Sequence, residues 1–168
     1  MTETEPVHEG DIVVVVGATG GVGRLVTESL VATDLFKVRG VVRDLEKAEE
    51  TLGGIKGLEL VEGDILRRES LDAAMKDASC VVACTGTTAF PSGRWAGGNT
   101  PDAVDNLAVI NMLEAATDPA NHAEGAPLKR FVLLSSVGVG RRGSFPFSIL
   151  NTFGVLDAKA KGEEAVRT

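Results

Sequence analysis

The chain is 168 residues long, 43% hydrophobic and 24% charged, with a net charge of −7. That length fits one domain with a sizeable core, and the acidity argues against nucleic acid or an anionic membrane surface as partner, since either needs a basic face. No apolar run approaches the roughly 18 residues of a membrane span; the run "IVVVV" at 12–16 is strand-sized.

The opening "MTETEPVHEGD" is acidic, unlike a signal peptide or an Arg/Ser-rich transit peptide. Residues 1–10 are expected to be disordered, with a single domain over 11–168. "DIVVVVGA" (11–18) is a continuous apolar run bounded by Asp and Gly, which predicts a strand covered on both faces. "GVGRLVTESLVAT" (21–33) follows as a helix with Val22, Leu25, Val26 and Leu30 at helical spacing. "FKVRGVVRD" (36–44) reads as the second strand. "LEKAEETLG" (45–53) reads as a short charged helix stopped by Gly53 and Gly54.

"LELVEGD" (58–64) predicts strand three, "ESLDAAMKDA" (69–78) a helix with Leu71, Ala74, Met75 and Ala78 inward, and "CVVACTG" (80–86) strand four. A Gly- and Pro-bearing loop then leads to a helix with Thr100 as N-cap and Pro101 in its first turn, running to about Thr117. Residues 118–129 are a polar loop, "RFVLLSS" (130–136) is strand five, and a final helix starts near Phe147. Strands alternating with helical crossovers predict an α/β, doubly wound parallel sheet of order 3-2-1-4-5. Its switch point lies between strands one and four, where ligands of such sheets bind.

Cys80 and Cys84, four residues apart on one strand, face the same side about 13 Å apart, too far for a disulfide. They read as buried, reduced thiols in a reducing compartment, with no further ligands nearby for a metal. His8 and His122 stand in polar segments and receive no role.

The chemistry is carried by the ends of the strands. "VVGATGGVGR" places Gly17, Gly20 and Gly23 at GxxGxxG spacing between a strand and a helix, with Thr19, Gly21 and Val22 completing the turn. The first glycine permits the turn, the second lets a pyrophosphate approach the backbone, and the third lets the helix pack on the strand; the helix N-terminus then offers N–H groups to phosphate. Strand two ends in Arg43 and Asp44. An acidic residue there holds the 2′-hydroxyl of NAD and a basic one favours the 2′-phosphate of NADP, so Arg43 favours NADP, with NAD possible. In the alternative, Arg43 is a solvated cation and Asp44 caps the next helix. Asp64 and Ile65 at the end of strand three are candidates for the adenine amino group and ring, and Ala83, Thr85 and Gly86 for the adenine and ribose wall.

With these four corners in place, the chain resembles the atypical short-chain dehydrogenase/reductase superfamily in its NmrA-like, NAD(P)H-binding branch, with a Rossmann-like fold. The stretches "VVGATGGVGRLV", "VVRD", "EGDI", "NTPDAVDNLAVINMLEAA" and "FVLLSSVGV" carry the resemblance over nearly the whole chain. The combination "TGTTAFPSGRW…NTPDAVD" is similar to a group of plastid-targeted Rossmann proteins of plants and algae with cyanobacterial relatives, which implies a chloroplast setting. Members of the branch are variously reductases, redox sensors, and assembly or import factors of the photosynthetic machinery. The resemblance implies a dinucleotide partner together with an unknown small-molecule substrate or protein partner.

Carried over residue by residue, the catalytic serine falls on Ser136, beside Ser135 as a cofactor contact, and the lysine of the YxxxK motif falls on Lys159. The tyrosine position is Val155, and the chain contains no tyrosine at all. A tyrosine there exchanges the proton as hydride moves; valine cannot. Lys159 remains able to hydrogen-bond the nicotinamide ribose, so the pair suits cofactor binding better than catalysis, and Ser136 serves equally well as a turn cap. Arg94, Trp95, Arg141 and Arg142 would rim the open end of the pocket, or face solvent. The apolar "RFVLLSS" has the composition of an interior strand rather than a protected edge. The chain is therefore expected to be the cofactor half of a longer protein, its substrate part missing, or else to self-associate through that edge.

Overall fold

A computed structural model describes residues 5–124 and 126–167. Five β-branched and apolar stretches form one parallel sheet: β1 (Ile12–Val16), β2 (Lys37–Val42), β3 (Leu58–Glu62), β4 (Ala78–Ala83) and β5 (Arg130–Leu133), in the order β3-β2-β1-β4-β5. Across the sheet Val14 lies opposite Arg39 and Val81, Val41 opposite Val61, and Val82 opposite Val132, and the register of β1 on β4 shifts once, between Ile12 and Val13. The order and the switch point between β1 and β4 agree with the sequence expectation.

The alternation of side chains on the strands divides the core in two. Val14, Val16, Val41, Val81 and Ala83 pack with Leu71, Ala74, Met75, Val109, Met112, Ala115 and Ala116 on one face. Val15, Val38 and Val42 pack with Val26, Leu30, Ala48 and Leu52 on the other. The first face is covered by the short helix α3 (Asp72–Met75) and by α4 (Ala108–Thr117); the second by α1 (Gly21–Ala32) and α2 (Leu45–Leu52). Arg39 crosses the first layer, donating to Glu59 and to the carbonyls of Ala74 and Lys76. Asp11, at the foot of β1, accepts from Lys129 Nζ at 2.9 Å and from the His8 backbone N–H at 2.7 Å.

Several expectations change in detail. The helix over 69–78 is a 3₁₀ turn at Arg68–Leu71 followed by one α turn, because Asp77 takes a positive φ of 54° and Ala78 already belongs to β4. Leu71, Ala74, Met75 and Ala78 are nevertheless fully buried. On α1 the buried face is Gly23 and Thr27, flanked by Val26 and Leu30, whereas Val22 and Leu25 are exposed. The glycine draws the helix so close to the sheet that its face is set by small residues. The final helix is two: α5 (Phe147–Leu150) and α6 (Val155–Arg167). Asn151 separates them, its side-chain oxygen accepting from the N–H groups of Leu156 and Asp157 at 2.9 and 3.1 Å. Val132 and Leu134 of the β5 segment are exposed, on the face that α1 and α2 cover elsewhere.

Of the acidic segment read as disordered, residues 1–4 lie outside the described residues; Thr168 lies outside them too. Within residues 5–10, Gly10 donates its N–H to Leu35 O at 2.7 Å. No helix among the described residues is long and apolar enough to cross a membrane.

Candidate functional site

The site grows from the turn after β1. Gly17 takes φ +82°, and a Cβ there would stand 3.2 Å from the backbone of Cys84 and from Thr85 Cγ2, so the ends of β1 and β4 meet at this residue. Gly20 is the N-cap of α1, with extended backbone, no side-chain cap and no acidic residue in the first turn. The first N–H groups of a helix have no intrahelical acceptor, and the turn that leads into this helix borders a cleft of about 370 Å³. Among the predicted residues, Gly17, Thr19, Gly20, Arg43, Ile65, Thr85 and Gly86 line it. Gly21 follows them into the helix with open space at its Cβ position, Val22 is exposed, and Gly23 packs against Gly17.

Arg43 and Asp44 part company at the end of β2. Asp44 caps α2, accepting from Lys47 N–H at 3.1 Å and pairing with Lys47 Nζ at 2.8 Å. These bonds from Lys47 hold its carboxyl below the ordinary aspartate value. Arg43 instead lines the cleft, its Nη1 3.4 Å from Asn99 Oδ1 on the loop after β4. The same loop contributes Arg94 to the cleft. At the end of β3, Ile65 lines the cleft while its carbonyl accepts from Asn111. Asp64 lies in a neighbouring recess with Glu62 and Arg67, accepts from Leu66 N–H at 3.0 Å and stands 3.5 Å from Arg67 Nε. Ala83 is fully buried toward α3 and α4.

In a small recess that adjoins the cleft and shares Thr85 and Val104 with it, α6 brings Lys159 to Asp105. Lys159 Nζ is 2.7 Å from Asp105 Oδ1, and Asp105 Oδ2 accepts from the N–H and the hydroxyl of Thr87 at 3.1 and 2.5 Å. Ser135 Oγ donates to Glu163 of α6, and Ser136, half-buried, gives its carbonyl to Val139 N–H at 3.1 Å. Val155, at the tyrosine position, is buried with Val139 and Leu156 beneath Phe147 and Ala89.

The arginines expected at the rim divide. Arg94 reaches the cleft, whereas Arg141 stacks on the Phe147 ring at 4.7 Å and Arg142 pairs with Asp157 at 2.9 Å. Trp95 packs edge-on against Phe153 and donates Nε1–H to Thr88 Oγ1. Cys84 lines the cleft and Cys80 is buried in β4; both are free thiols, pushed up by burial. Sequence reasoning missed Thr87, Asn99 and Asp105. For Asp105 a signal was present: a carboxylate falls among Val104, Ala108, Val109 and Met112 on the buried side of an apolar helix.

What this cleft offers a ligand is a glycine turn leading into an uncapped helix N-terminus, suited to a diphosphate, and a guanidinium at the far strand end, with a hydrogen-bonded ammonium in the adjoining recess. Chemistry of that kind, at the switch point of a doubly wound sheet, makes this a Rossmann-type dinucleotide-binding domain. Residues 17–168 match the NAD(P)H-binding family, and the chain belongs to it.

The chain is 33% identical to "Protein TIC 62, chloroplastic" of Arabidopsis thaliana over 186 aligned residues, covering 99% of this chain and 27% of the relative. Likeness in fold extends to a putative NAD-dependent epimerase/dehydratase from Bacillus halodurans, with a TM-score of 0.70 at 23% identity over 94% of this chain and 65% of that one. It extends also to the yeast methylglyoxal/isovaleraldehyde reductase Gre2 complexed with NADPH, with a TM-score of 0.69 at 18% identity over 93% and 52%. The chain thus spans about a quarter of the length of the Arabidopsis relative.

Proposed function

We propose that this domain binds NADP(H) in preference to NAD(H), with the diphosphate on the α1 N-terminus, the 2′-phosphate on Arg43 and the nicotinamide ribose at Lys159. The observation that carries the preference is the division of labour at the end of β2. Asp44, the carboxylate that would hold a 2′-hydroxyl, is taken up by the α2 cap and Lys47, while Arg43 lines the cleft. Gly17, Thr19, Gly20, Gly21, Val22 and Gly23 form the phosphate turn in this reading. Ile65, Thr85 and Gly86 form the adenosine and ribose walls, and Asp64, Ala83 and Ser135 stand behind them.

The test is the pair of affinities for NADPH and NADH before and after Arg43→Ala. Loss of one charge-assisted phosphate contact should weaken NADPH by about tenfold and leave NADH within about twofold. Equal changes for both nucleotides would refute the 2′-phosphate assignment.

The buried Val155 favours a second element of the proposal, that cofactor occupancy rather than turnover is the output of this domain, in an NADPH-sensing scaffold or assembly factor of a chloroplast. A tyrosine-type proton donor has no counterpart there, and the hydroxyl nearest that role is Ser136. When bound, the nicotinamide would supply hydride chemistry; the residues present bind and orient it. Single-turnover exposure of the NADPH complex to a panel of quinones and enones separates the two readings. No oxidation fits the sensing role, and oxidation by any member would establish a reductase.

A further inference from the structure

Lys159 does not enter the site as a free cation. Its ammonium is 2.7 Å from Asp105 Oδ1, in a pair whose side chains are 16% and 2% exposed. Asp105 sits on a π-helical turn, Ala103–Leu107, that leads into α4, and such turns recur at functional positions in helices. Two elements, the loop after β4 and α6, converge on its side chain and backbone. Thr87, on the loop after β4, fills Oδ2 with its N–H and hydroxyl. Gly86 makes room for the pair, since a Cβ there would stand 3.1 Å from Lys159 Nζ and 3.3 Å from Asp105 Oδ1. Gly162 lets α6 lie directly on the turn, where a Cβ would stand 2.4 Å from Asp105 O.

A buried ion pair is a poor stabilising device, because desolvation offsets most of the Coulomb attraction. What it supplies here is position. A lysine has four flexible methylenes and three N–H donors; Asp105 takes one donor and fixes the ammonium, and the remaining two carry no partner among the described residues. Thr85, Leu134 and Ser135 surround that point.

We infer that Asp105 is a positioning residue of the nicotinamide-ribose subsite, acting through Lys159 and touching no cofactor atom itself. This rests on the reading of Lys159 as a ribose ligand. Thr87 holds the carboxylate, the carboxylate holds the ammonium, and the ammonium presents two donors to the vicinal hydroxyls of the ribose.

The experiment is a double-mutant cycle on the whole chain with Asp105→Asn, Lys159→Met and both together, measuring affinity for NADPH and for adenosine 2′,5′-bisphosphate, which lacks the nicotinamide ribose. Lys159→Met should weaken NADPH by about tenfold and Asp105→Asn by about threefold to tenfold. Adding Asp105→Asn to Lys159→Met should change NADPH affinity by less than about twofold, since the first acts only through the second. Affinity for the bisphosphate should stay within about twofold in all four proteins, as no contact to it is altered. Additive losses of NADPH affinity, or an equal loss for the bisphosphate, would overturn the assignment while leaving the dinucleotide reading in place. A wild-type chain that binds neither ligand would overturn both. Where Asp105→Asn fails to fold, Thr87→Val removes the hydroxyl bond to the same carboxylate and enters the same cycle with an expected loss of about threefold.

Discussion

Gly23 rests on Gly17: a Cβ at Gly23 would stand 2.0 Å from the Gly17 carbonyl oxygen and 2.7 Å from its carbon. The contact fixes how deeply α1 sits on β1, and therefore where its first N–H groups point. Gly23→Ala must push the helix off the turn. The expected cost is about 1–3 kcal/mol of stability, as for other overpacked sites, together with loss of NADPH binding. Gly21→Ala is the control, since nothing lies within 4 Å of its Cβ position, and its unfolding midpoint should match that of the wild type. Thermal denaturation of both variants decides the point.

The thiol of Cys84 lies in the cleft and burial raises its pKa. Alkylation by iodoacetamide should be slow at neutral pH, accelerate only above the usual thiol range, and be slowed further by saturating NADPH. Cys80, buried in β4 and raised by the same cause, should remain unmodified until the protein unfolds. Because both thiols are raised in the fold, their contribution to stability is complete below the ordinary thiol value. It is lost as pH rises through the folded one. Mass spectrometry of the labelled chain at several pH values reads the rates directly.

Val155→Tyr restores the YxxxK pattern in sequence but places a phenol in the apolar cluster of Val139, Leu156 and Phe147. The substitution should destabilise by about 1–3 kcal/mol through overpacking and confer no NADPH oxidation. Chemical denaturation and a single-turnover assay are the two measurements. A stable variant that oxidises NADPH in the presence of an enone would show that only the phenol was lacking.

Asp11 is held below the ordinary aspartate value, first by the His8 backbone N–H and then by Lys129. A lowered carboxylate stabilises the fold above the ordinary value, and that contribution disappears as pH falls through the folded one. Asp11→Asn removes the group that titrates. Between neutral pH and the acid side of the aspartate range, the wild-type unfolding midpoint should therefore fall further than that of the variant. Parallel slopes would contradict the role given to this link between β1 and the approach to β5.

How far the sequence reveals this site follows from the range of the forces involved. The β1 run, the glycine turn and the capping signals of Asp44 and Thr100 are local, so the strands, the sheet order and the turn between β1 and α1 were legible. The bonds at Asp44 and Thr100 fall where those residues predict them. The face of α1 was misjudged because helical spacing alone does not register that Gly23 brings the helix close enough to bury Thr27 and expose Leu25. The division into α5 and α6 depends on the Asn151 side chain reaching five and six residues ahead. Asp105 and Lys159 lie 54 positions apart, and the π turn that aims the carboxylate has no pattern of its own. Only a charged residue on an apolar face, and a glycine at 162 inside a helix, hinted that something close and polar was there.

If the cleft between β1 and β4 holds NADP(H), the domain binds the nucleotide by itself. Isothermal titration of the purified chain with NADPH measures this without reference to substrate or partner. One site per chain is expected, with affinity for NADPH about tenfold tighter than for NADH, the difference one phosphate–arginine contact supports. Absence of heat or saturation for either nucleotide at millimolar concentration would contradict it.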